Sequence, residues 1–168
     1  MNNSFSVTVA KEYLTFSAAH FITLAGHQCE SLHGHNYRVG VTVSGSVDMA
    51  SGFVVDFGVI KQIVKPLIAA VDHRVLLPSR NAKLEFRDEG ELLVVIYRGA
   101  HRFTFPSAHV ALVPVTDTTA ELLAEYLARR VGAALSAEGL ATVAELQLEV
   151  EESVGQSAGY RIGLGLRG

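Results

Sequence analysis

The chain has 168 residues, 49% of them apolar, which is enough to bury one sizeable core and is typical of a single domain. Its net charge is −3 and only 18% of its residues are charged, so neither nucleic acid nor an anionic membrane is indicated as a partner. No apolar run reaches the roughly 20 residues that span a bilayer, and residues 1–7 lack the pattern of a secretory signal. We therefore expect a cytoplasmic protein that binds a small molecule or another protein.

Two paired β-strands are predicted in the first quarter of the chain. Alternation of apolar and polar residues over 5–9 returns in a second register over 14–20, which predicts one strand with a bulge near Lys11. A second strand covers 35–44, and we expect the two to pair antiparallel. Residues 26–34 between them have no period and predict a loop that carries function.

Two amphipathic helices are predicted further along the chain. The first covers 56–71, where apolar residues recur at helical spacing after Asp56, a suitable N-cap. The second begins with the capping-box spacing of Thr118 and Glu121 and ends near Gly139.

Further strands are predicted on either side of the second helix. They cover 83–87, 92–97, 102–105 and 143–152, and the first three form a hairpin region inserted at about 82–105. The order of elements predicts an α+β domain, in which two helices cover one face of a mainly antiparallel sheet. We expect residues 1–168 to form this one domain.

Three histidines lie where the first two strands would bring them together. His33 and His35 are two residues apart at the start of a strand, so their rings project from the same face, and His20 ends the neighbouring strand. Three neutral imidazoles with an open fourth position are typical of a catalytic zinc site. A His-Gly-His triplet also occurs by chance, and the alternative is three ordinary histidines at strand ends.

Proton-transfer chemistry is indicated at two further places. Cys29 is the single cysteine, which suits a reducing compartment, and beside a bound cation its thiolate could act as base or nucleophile. The alternative for Cys29 is a small buried apolar side chain. Asp72 precedes His73 directly and could orient that imidazole for proton transfer. The alternative for His73 is a helix-terminal residue bonded to nearby carbonyl groups.

Glu152 is an acidic residue on an apolar strand face. It continues the alternation of Leu146, Leu148 and Val150, so its carboxylate points where apolar side chains point. A carboxylate in that position needs a hydrogen-bonding partner, because burying it alone costs several kcal/mol. A ligand with adjacent N–H donors, such as an aminopyrimidinone ring, would provide one. The alternative is that the strand ends before Glu152 and the side chain is solvated.

Six short motifs follow one another in a fixed order. They are Phe16-Ser-Ala-Ala-His20, Cys29-Glu-Ser-Leu-His33-Gly-His35-Asn-Tyr37, Gly52-Phe-Val-Val-Asp56-Phe57, Val71-Asp-His73, Asp117-Thr-Thr119-Ala-Glu121 and Glu151-Glu-Ser153. Together they resemble the 6-pyruvoyltetrahydropterin synthase and 6-carboxytetrahydropterin synthase family over nearly the whole chain.

The resemblance implies a zinc-dependent lyase that acts on 7,8-dihydroneopterin triphosphate. The implied site consists of Zn²⁺ ligands His20, His33 and His35, proton-transfer residues Cys29, Asp72 and His73, and pterin-binding residues Glu152 and Thr119. The resemblance also implies the tunnel-fold, in which protomers join their sheets into a trimeric barrel. Two trimers then stack as a homohexamer, and the active sites lie between subunits.

The resemblance leaves the product open. The three residues between Cys29 and His33 match the 6-carboxytetrahydropterin branch, which serves queuosine-type deazapurine synthesis. Glu30 resembles a mixed subgroup in which a glutamate supports aldolase-like cleavage to 6-hydroxymethyl-7,8-dihydropterin, although Glu30 could equally be a solvated loop charge. The insertion at 82–105 is absent from the compact bacterial members. A non-catalytic, zinc-containing pterin-binding protein is a further alternative.

Overall fold

The structure is a computed structural model that describes residues 4–10, 12, 14–25 and 28–165. Across these residues the chain forms ten β-strands and two α-helices. The strands are β1 (Phe5–Val9), β2 (Thr15–His20), β3 (His33–Gly45), β4 (Arg74–Pro78), β5 (Leu84–Asp88), β6 (Leu92–Tyr97), β7 (Ala100–Pro106), β8 (Val110–Val113), β9 (Val143–Ser153) and β10 (Gln156–Gly163). The helices are α1 (Phe57–Ala69) and α2 (Ala120–Ala137).

Strand β3 organises the larger, seven-stranded sheet because it pairs with three other strands. Its residues 33–38 pair with β2, its residues 41–45 pair with β1, and β9 lies along its other edge. The strand order is β10-β9-β3-β2-β4-β8, with β1 also paired to β3. The antiparallel pairing expected for the first two strands is thus confirmed. The bulge predicted near Lys11 falls on a residue outside the described ranges.

Both helices pack on one face of this sheet, as predicted. Helix α2 lies against β9 and β10, and α1 lies against α2, β1 and β2. The Asp56 side chain caps α1 by accepting the N–H of Gly58, which confirms the predicted start of that helix. The core between helices and sheet is filled from β3 and β9 by Val39, Val41, Val43, Leu146, Leu148 and Val150, all fully buried. Neither helix of the described residues is long and apolar enough to cross a membrane.

The capping box predicted for the second helix is wrong by one residue. Thr119 is the N-cap of α2, and its hydroxyl accepts the N–H of Leu122 at 3.4 Å. The hydroxyl of Thr118 is engaged elsewhere, because it donates to the buried carbonyl of Phe21 at 3.2 Å. The helix ends two residues before Gly139, whose φ of 70° suits the turn that follows.

Three strands of the larger sheet are not predicted from the sequence. Strands β4 and β8 are short, of five and four residues, and pair parallel to each other; apart from Arg74 at the start of β4 their residues form apolar runs. Such runs have no alternation and cannot be told from other buried segments by their period. Strand β10 contains Gly159 and Gly163, and glycine weakens a strand signal.

The insertion predicted at about 82–105 is present as a separate three-stranded antiparallel sheet in the order β5-β6-β7. Its buried residues Leu93 and Val95 form a second apolar cluster with Phe21 and Leu77 of the larger part of the molecule. Cys29 packs against this cluster as well. The insertion is therefore docked onto the loop that precedes β3.

Gly45→Ala should destabilise the fold, because a Cβ at this position would collide with the backbone carbonyl of Thr142. Backbone atoms cannot move aside as a flexible side chain can, so we expect a loss of roughly 1–3 kcal/mol in the free energy of unfolding. Gly163→Ala is the matched control, since a Cβ at this other strand-terminal glycine meets nothing within 4 Å. Urea unfolding followed by circular dichroism compares them, and equal stabilities would contradict the close approach at the end of β3.

Candidate metal centre

The pairing of β2 with β3 brings the three predicted histidines together. His20 lies opposite His33 in the antiparallel register, and His35 lies opposite Ala18. The ring centroids are 4.6 Å apart for His20 and His33, 5.3 Å for His20 and His35, and 5.0 Å for His33 and His35. Each ring offers one nitrogen, and these three nitrogens all lie within 4.8 Å of one another. This spacing is compatible with one shared metal ion.

Two backbone carbonyls orient these rings. The Nδ1 atom of His20 lies 3.0 Å from the carbonyl oxygen of Thr118, and Nδ1 of His33 lies 2.9 Å from that of Ser31. A carbonyl oxygen only accepts, so Nδ1 carries a proton in both rings, and Nε2 has a free electron pair in the neutral form of each ring. Burial lowers the pKa of His20, which keeps this fully buried ring neutral. Neutral rings with Nε2 unprotonated are the form that binds a metal.

A carboxylate faces the same nitrogens. Glu152 Oε1 lies 3.4 Å from Nε2 of His20 and 3.9 Å from Nε2 of His35, yet neither nitrogen has a hydrogen-bond partner among the described residues. Two buried ring nitrogens and a carboxylate oxygen therefore face one another without a hydrogen bond between them, an arrangement that is costly by itself. A cation satisfies all three at once. The donor set thus fits a metal ion, and imidazole is a ligand that suits transition metals.

Glu152 of β9 is held in place by a side chain of the neighbouring strand β3. The Tyr37 hydroxyl donates to Glu152 Oε1 at 3.1 Å, and the Tyr37 ring stacks on Phe16 with centroids 4.7 Å apart. Burial raises the pKa of Tyr37, and the nearby carboxylate raises it further, so the hydroxyl keeps its proton. The Glu152 side chain is 24% exposed, so part of it remains accessible.

Cys29 and Glu30 lie on the loop between β2 and β3. Cys29 forms an isolated β-bridge with Thr23, is partly buried, and is not a member of the three-histidine group of the described residues. The Glu30 carboxylate accepts the backbone N–H of Ile22 at 3.3 Å, so it is tied to the loop rather than freely solvated. Burial raises the pKa of the Cys29 thiol, while Arg102 acts in the opposite direction. Burial in this loop therefore opposes the thiolate that the sequence predicts.

Asp72 and His73 form the expected pair directly after α1. Nδ1 of His73 lies 2.9 Å from Asp72 Oδ1, which also accepts the N–H of Ser17 at 2.8 Å. The N–H of Ser17, followed by His73, lowers the pKa of Asp72 and keeps it ionised. Within the described ranges, no hydrogen bond or ion pair connects this pair to Cys29.

The His73 side chain is 81% exposed and faces an open cleft. The cleft has a volume of about 520 Å³ and is lined by His73, His35, Arg74 and His109, among others. Within one chain, His73 and His35 thus line the same cleft. Cys29 lies elsewhere, on the loop that follows β2.

Several residues of the site are missed by the sequence patterns. The carbonyl of Thr118 orients His20, and Asp117 Oδ2 accepts from both the N–H and the hydroxyl of Thr23, at 3.0 and 2.7 Å. A contact through a backbone atom leaves no signal in the residue type. Tyr37 could have been found, since it shares a strand face with His33 and His35. The predicted pterin contact Thr119 is half-buried and caps α2.

The fold is α+β, and its paired strands carry a three-histidine group with an adjacent carboxylate. These features place the molecule among enzymes with a candidate metal centre. Residues 8–162 match the family described as 6-pyruvoyl tetrahydropterin synthase. The chain belongs to this family and is a lyase of the tetrahydropterin synthase type.

Relatives and solved structures agree with this assignment. A protein of Methanocaldococcus jannaschii named putative 6-carboxy-5,6,7,8-tetrahydropterin synthase is 34% identical over 149 residues, which are 88% of this chain and 90% of that one. The structure of Plasmodium falciparum 6-pyruvoyl tetrahydropterin synthase superposes with a TM-score of 0.89 at 28% identity, over 96% of this chain and 99% of that one. A Plasmodium vivax 6-pyruvoyltetrahydropterin synthase, in a variant whose catalytic glutamate is replaced by alanine, gives the same TM-score and coverage at 23% identity. The α+β tunnel-fold predicted from the sequence is thus confirmed at the level of the single chain.

We predict that the wild-type chain binds one zinc ion and that His33→Ala loses it, because removing one of three imidazoles leaves the site incomplete. His101→Ala is the control, since His101 is an exposed histidine of β7 that bonds to Thr104. Metal analysis after dialysis against buffer with trace zinc should find about one zinc per chain in wild type and control. Equal zinc in His33→Ala and wild type would refute the three-histidine site.

Proposed function

We propose that this chain is a zinc-dependent lyase that converts 7,8-dihydroneopterin triphosphate to 6-carboxy-5,6,7,8-tetrahydropterin or 6-pyruvoyltetrahydropterin, with loss of triphosphate and, for the 6-carboxy product, of the other two side-chain carbons as a two-carbon aldehyde. The observation that carries the proposal is the convergence of three imidazole nitrogens and one carboxylate at the end of the β2–β3 pair. The Methanocaldococcus jannaschii relative supports the 6-carboxytetrahydropterin product, and so does the three-residue spacing between Cys29 and His33. That product would serve queuosine-type deazapurine synthesis.

His20, His33 and His35 are the proposed zinc ligands, and the ion would supply Lewis acidity to the hydroxyl groups of the substrate side chain. Glu152 then binds the pterin ring through its accessible part, accepting adjacent ring N–H groups while Tyr37 holds its Oε1 atom. This arrangement fixes the ring relative to the histidines. The substrate side chain would then lie toward His20, His33 and His35, the proposed zinc ligands.

Proton transfer is assigned to Cys29 on one side of the substrate and to His73 on the other. The Cys29 thiolate takes a proton from the substrate side chain, triphosphate leaves, and His73 returns a proton while Asp72 holds its ring. Because His73 is exposed and makes no hydrogen bond or ion pair with Cys29 of the same chain among the described residues, we propose that the active site combines Cys29 of one copy with His73 of another. This fits a homohexamer built from two trimers with sites between subunits.

The remaining proposals concern the chain as a whole. Residues 1–168 are proposed to form one domain with the three-stranded insertion, since the family match covers most of the chain. A single cysteine is compatible with a cytoplasmic location. The net charge of −3 fits a small-molecule pterin substrate better than a nucleic-acid or membrane partner.

Glu152→Gln should weaken binding of a dihydropterin by about 1.5–3 kcal/mol, the loss of binding free energy expected when charge-assisted hydrogen bonds are removed. Glu145→Gln is the matched control on the same strand, because Glu145 faces Arg161 instead of the histidines. Calorimetry with the zinc-loaded proteins measures the affinity, and metal analysis verifies that zinc is retained. An unchanged affinity in a zinc-retaining Glu152→Gln variant would show that Glu152 does not bind the ring.

A second candidate activity is aldolase-like cleavage to 6-hydroxymethyl-7,8-dihydropterin. Two observations favour it: Glu30 directly follows Cys29, and a Plasmodium vivax enzyme of the same fold has a catalytic glutamate. The Glu30 carboxylate is partly buried and tied to the loop by Ile22, which holds it at a fixed position. It could then act as a base on the side-chain hydroxyl whose deprotonation starts carbon–carbon cleavage.

Product chromatography on variants separates the two activities. Cys29→Ala should abolish triphosphate elimination and spare hydroxymethyldihydropterin formation, whereas Glu30→Ala should do the reverse. If the wild type makes no hydroxymethyldihydropterin, or if its yield is unchanged in Glu30→Ala, the second activity is excluded. If the zinc-loaded wild type binds pterin but does not consume 7,8-dihydroneopterin triphosphate, the non-catalytic pterin-binding alternative is the better account.

A further inference from the structure

The inserted sheet contacts the Cys29 loop through packed aromatic rings. Phe103 of β7 lies 5.0 Å from Phe21, measured between ring centroids, and Phe105 stacks on Phe103 at 5.5 Å. Phe21 is fully buried and immediately follows β2, so this contact fixes the insertion against the start of the loop. Cys29 packs against the same apolar cluster. The insertion is thus part of the wall that surrounds the thiol.

Two cations of the insertion bind carbonyl oxygens on both sides of this loop. Nη2 of Arg102 donates to the carbonyls of Cys29 and Glu30 at 3.4 and 3.0 Å. Nζ of Lys83 donates to the carbonyls of Thr23 and Leu24 at 2.9 and 3.3 Å. Since Thr23 and Cys29 form a β-bridge, these two cations hold the two limbs of one folded loop.

Arg102 is itself fixed in orientation. Its guanidinium carbon lies 5.0 Å from the centroid of the Phe103 ring, and a planar guanidinium over an aromatic face loses little freedom when it binds acceptors. An exposed arginine on an edge strand is ordinarily solvated. Here the aromatic contact and both hydrogen bonds direct the charge at the segment that carries Cys29 and Glu30.

The charges around the thiol give Arg102 an electrostatic effect as well. Burial raises the pKa of Cys29, Asp117 and Glu30 raise it further, and Arg102 opposes them. Removing the guanidinium would leave the thiol facing burial and two carboxylates. Arg102 therefore affects the Cys29 thiol in two ways, through its charge and through the loop geometry.

We propose that Arg102 is a positioning residue of the active site: by binding the carbonyls of Cys29 and Glu30, it fixes the thiol for proton transfer and places a positive charge beside the thiolate. The inserted sheet is then the part of the fold that activates the catalytic loop. This inference rests on the proposed catalytic role of Cys29, but the reactivity of the thiol tests it independently of turnover.

The thiol can be observed directly because Cys29 is the single cysteine of the chain. The rate of Cys29 alkylation by iodoacetamide is measured against pH by mass spectrometry, on the zinc-loaded full chain. The variants are Arg102→Met, which removes the charge, and Arg102→Lys, which keeps the charge and loses the fork. Arg87→Ala is the control, an exposed arginine of the same sheet that bonds to Glu85 at 2.7 Å.

We expect Arg102→Met to shift the alkylation midpoint upward by about half to one pH unit, which lowers the rate at pH 7 by roughly three- to tenfold. Its kcat for triphosphate elimination should fall more than its KM rises, because Arg102 acts through the loop. Arg102→Lys should keep a midpoint near that of wild type and recover part of kcat. Arg87→Ala should match wild type in both measurements.

An alkylation midpoint and a kcat in Arg102→Met equal to those of wild type would overturn the proposal. Uniformly faster alkylation with an unchanged midpoint would also overturn it, since Arg102 would then only hold the loop closed. If the wild type shows no elimination activity while the midpoint still shifts in Arg102→Met, the proposed reaction fails and the effect of Arg102 on the thiol stands.

Discussion

The register between β2 and β3 is the constraint on which the site depends. Phe16 lies opposite Tyr37, and their stacked rings are buried in the core, so the pairing cannot slip without expelling both. A slip of one residue would turn the β3 side chains to the other sheet face. His33 and His35 would then lie on the opposite side from His20. Core packing thus sets the geometry of the three imidazoles.

The buried face of His20 explains why this cluster differs from ordinary strand-end histidines. Its Nδ1 proton is bound by a carbonyl, its Nε2 atom has no partner among the described residues, and a carboxylate oxygen lies 3.4 Å away. A fold that retains such an arrangement stores an uncompensated cost unless a cation occupies it. Thr118, two residues before α2, supplies the carbonyl that sets the tautomer of His20.

Sequence patterns predict the parts of this molecule that repeat with a period or lie close together along the chain. The spacing of His33 and His35, the helix after Asp56 and the strands of the insertion were all predictable for that reason. The short parallel strands β4 and β8 have no period to detect. Contacts such as His20 with Thr118, or Arg102 with Cys29, join residues 98 and 73 positions apart through backbone atoms, which residue types do not reveal.

The inserted sheet changes how the catalytic loop is supported. Its strands add aromatic packing and two cations to a loop that is also held by the Thr23–Cys29 bridge, the bonds between Glu30 and Ile22, and the bonds from Thr23 to Asp117. Cys29 and Glu30 are neighbours on this loop, and the inserted sheet affects the position of both. In the proposed function, the choice between side-chain elimination and cleavage therefore depends on this loop as well as on the histidines.

We propose that three imidazoles, without the cysteine, bind the metal. Zinc K-edge X-ray absorption on the zinc-loaded protein distinguishes the ligands, because nitrogen and sulfur differ in distance and scattering. We expect three imidazole nitrogens at roughly 2.0–2.1 Å and no sulfur shell near ~2.3 Å. A sulfur ligand at that distance would make Cys29 part of the metal site and contradict its role as a free proton-transfer group.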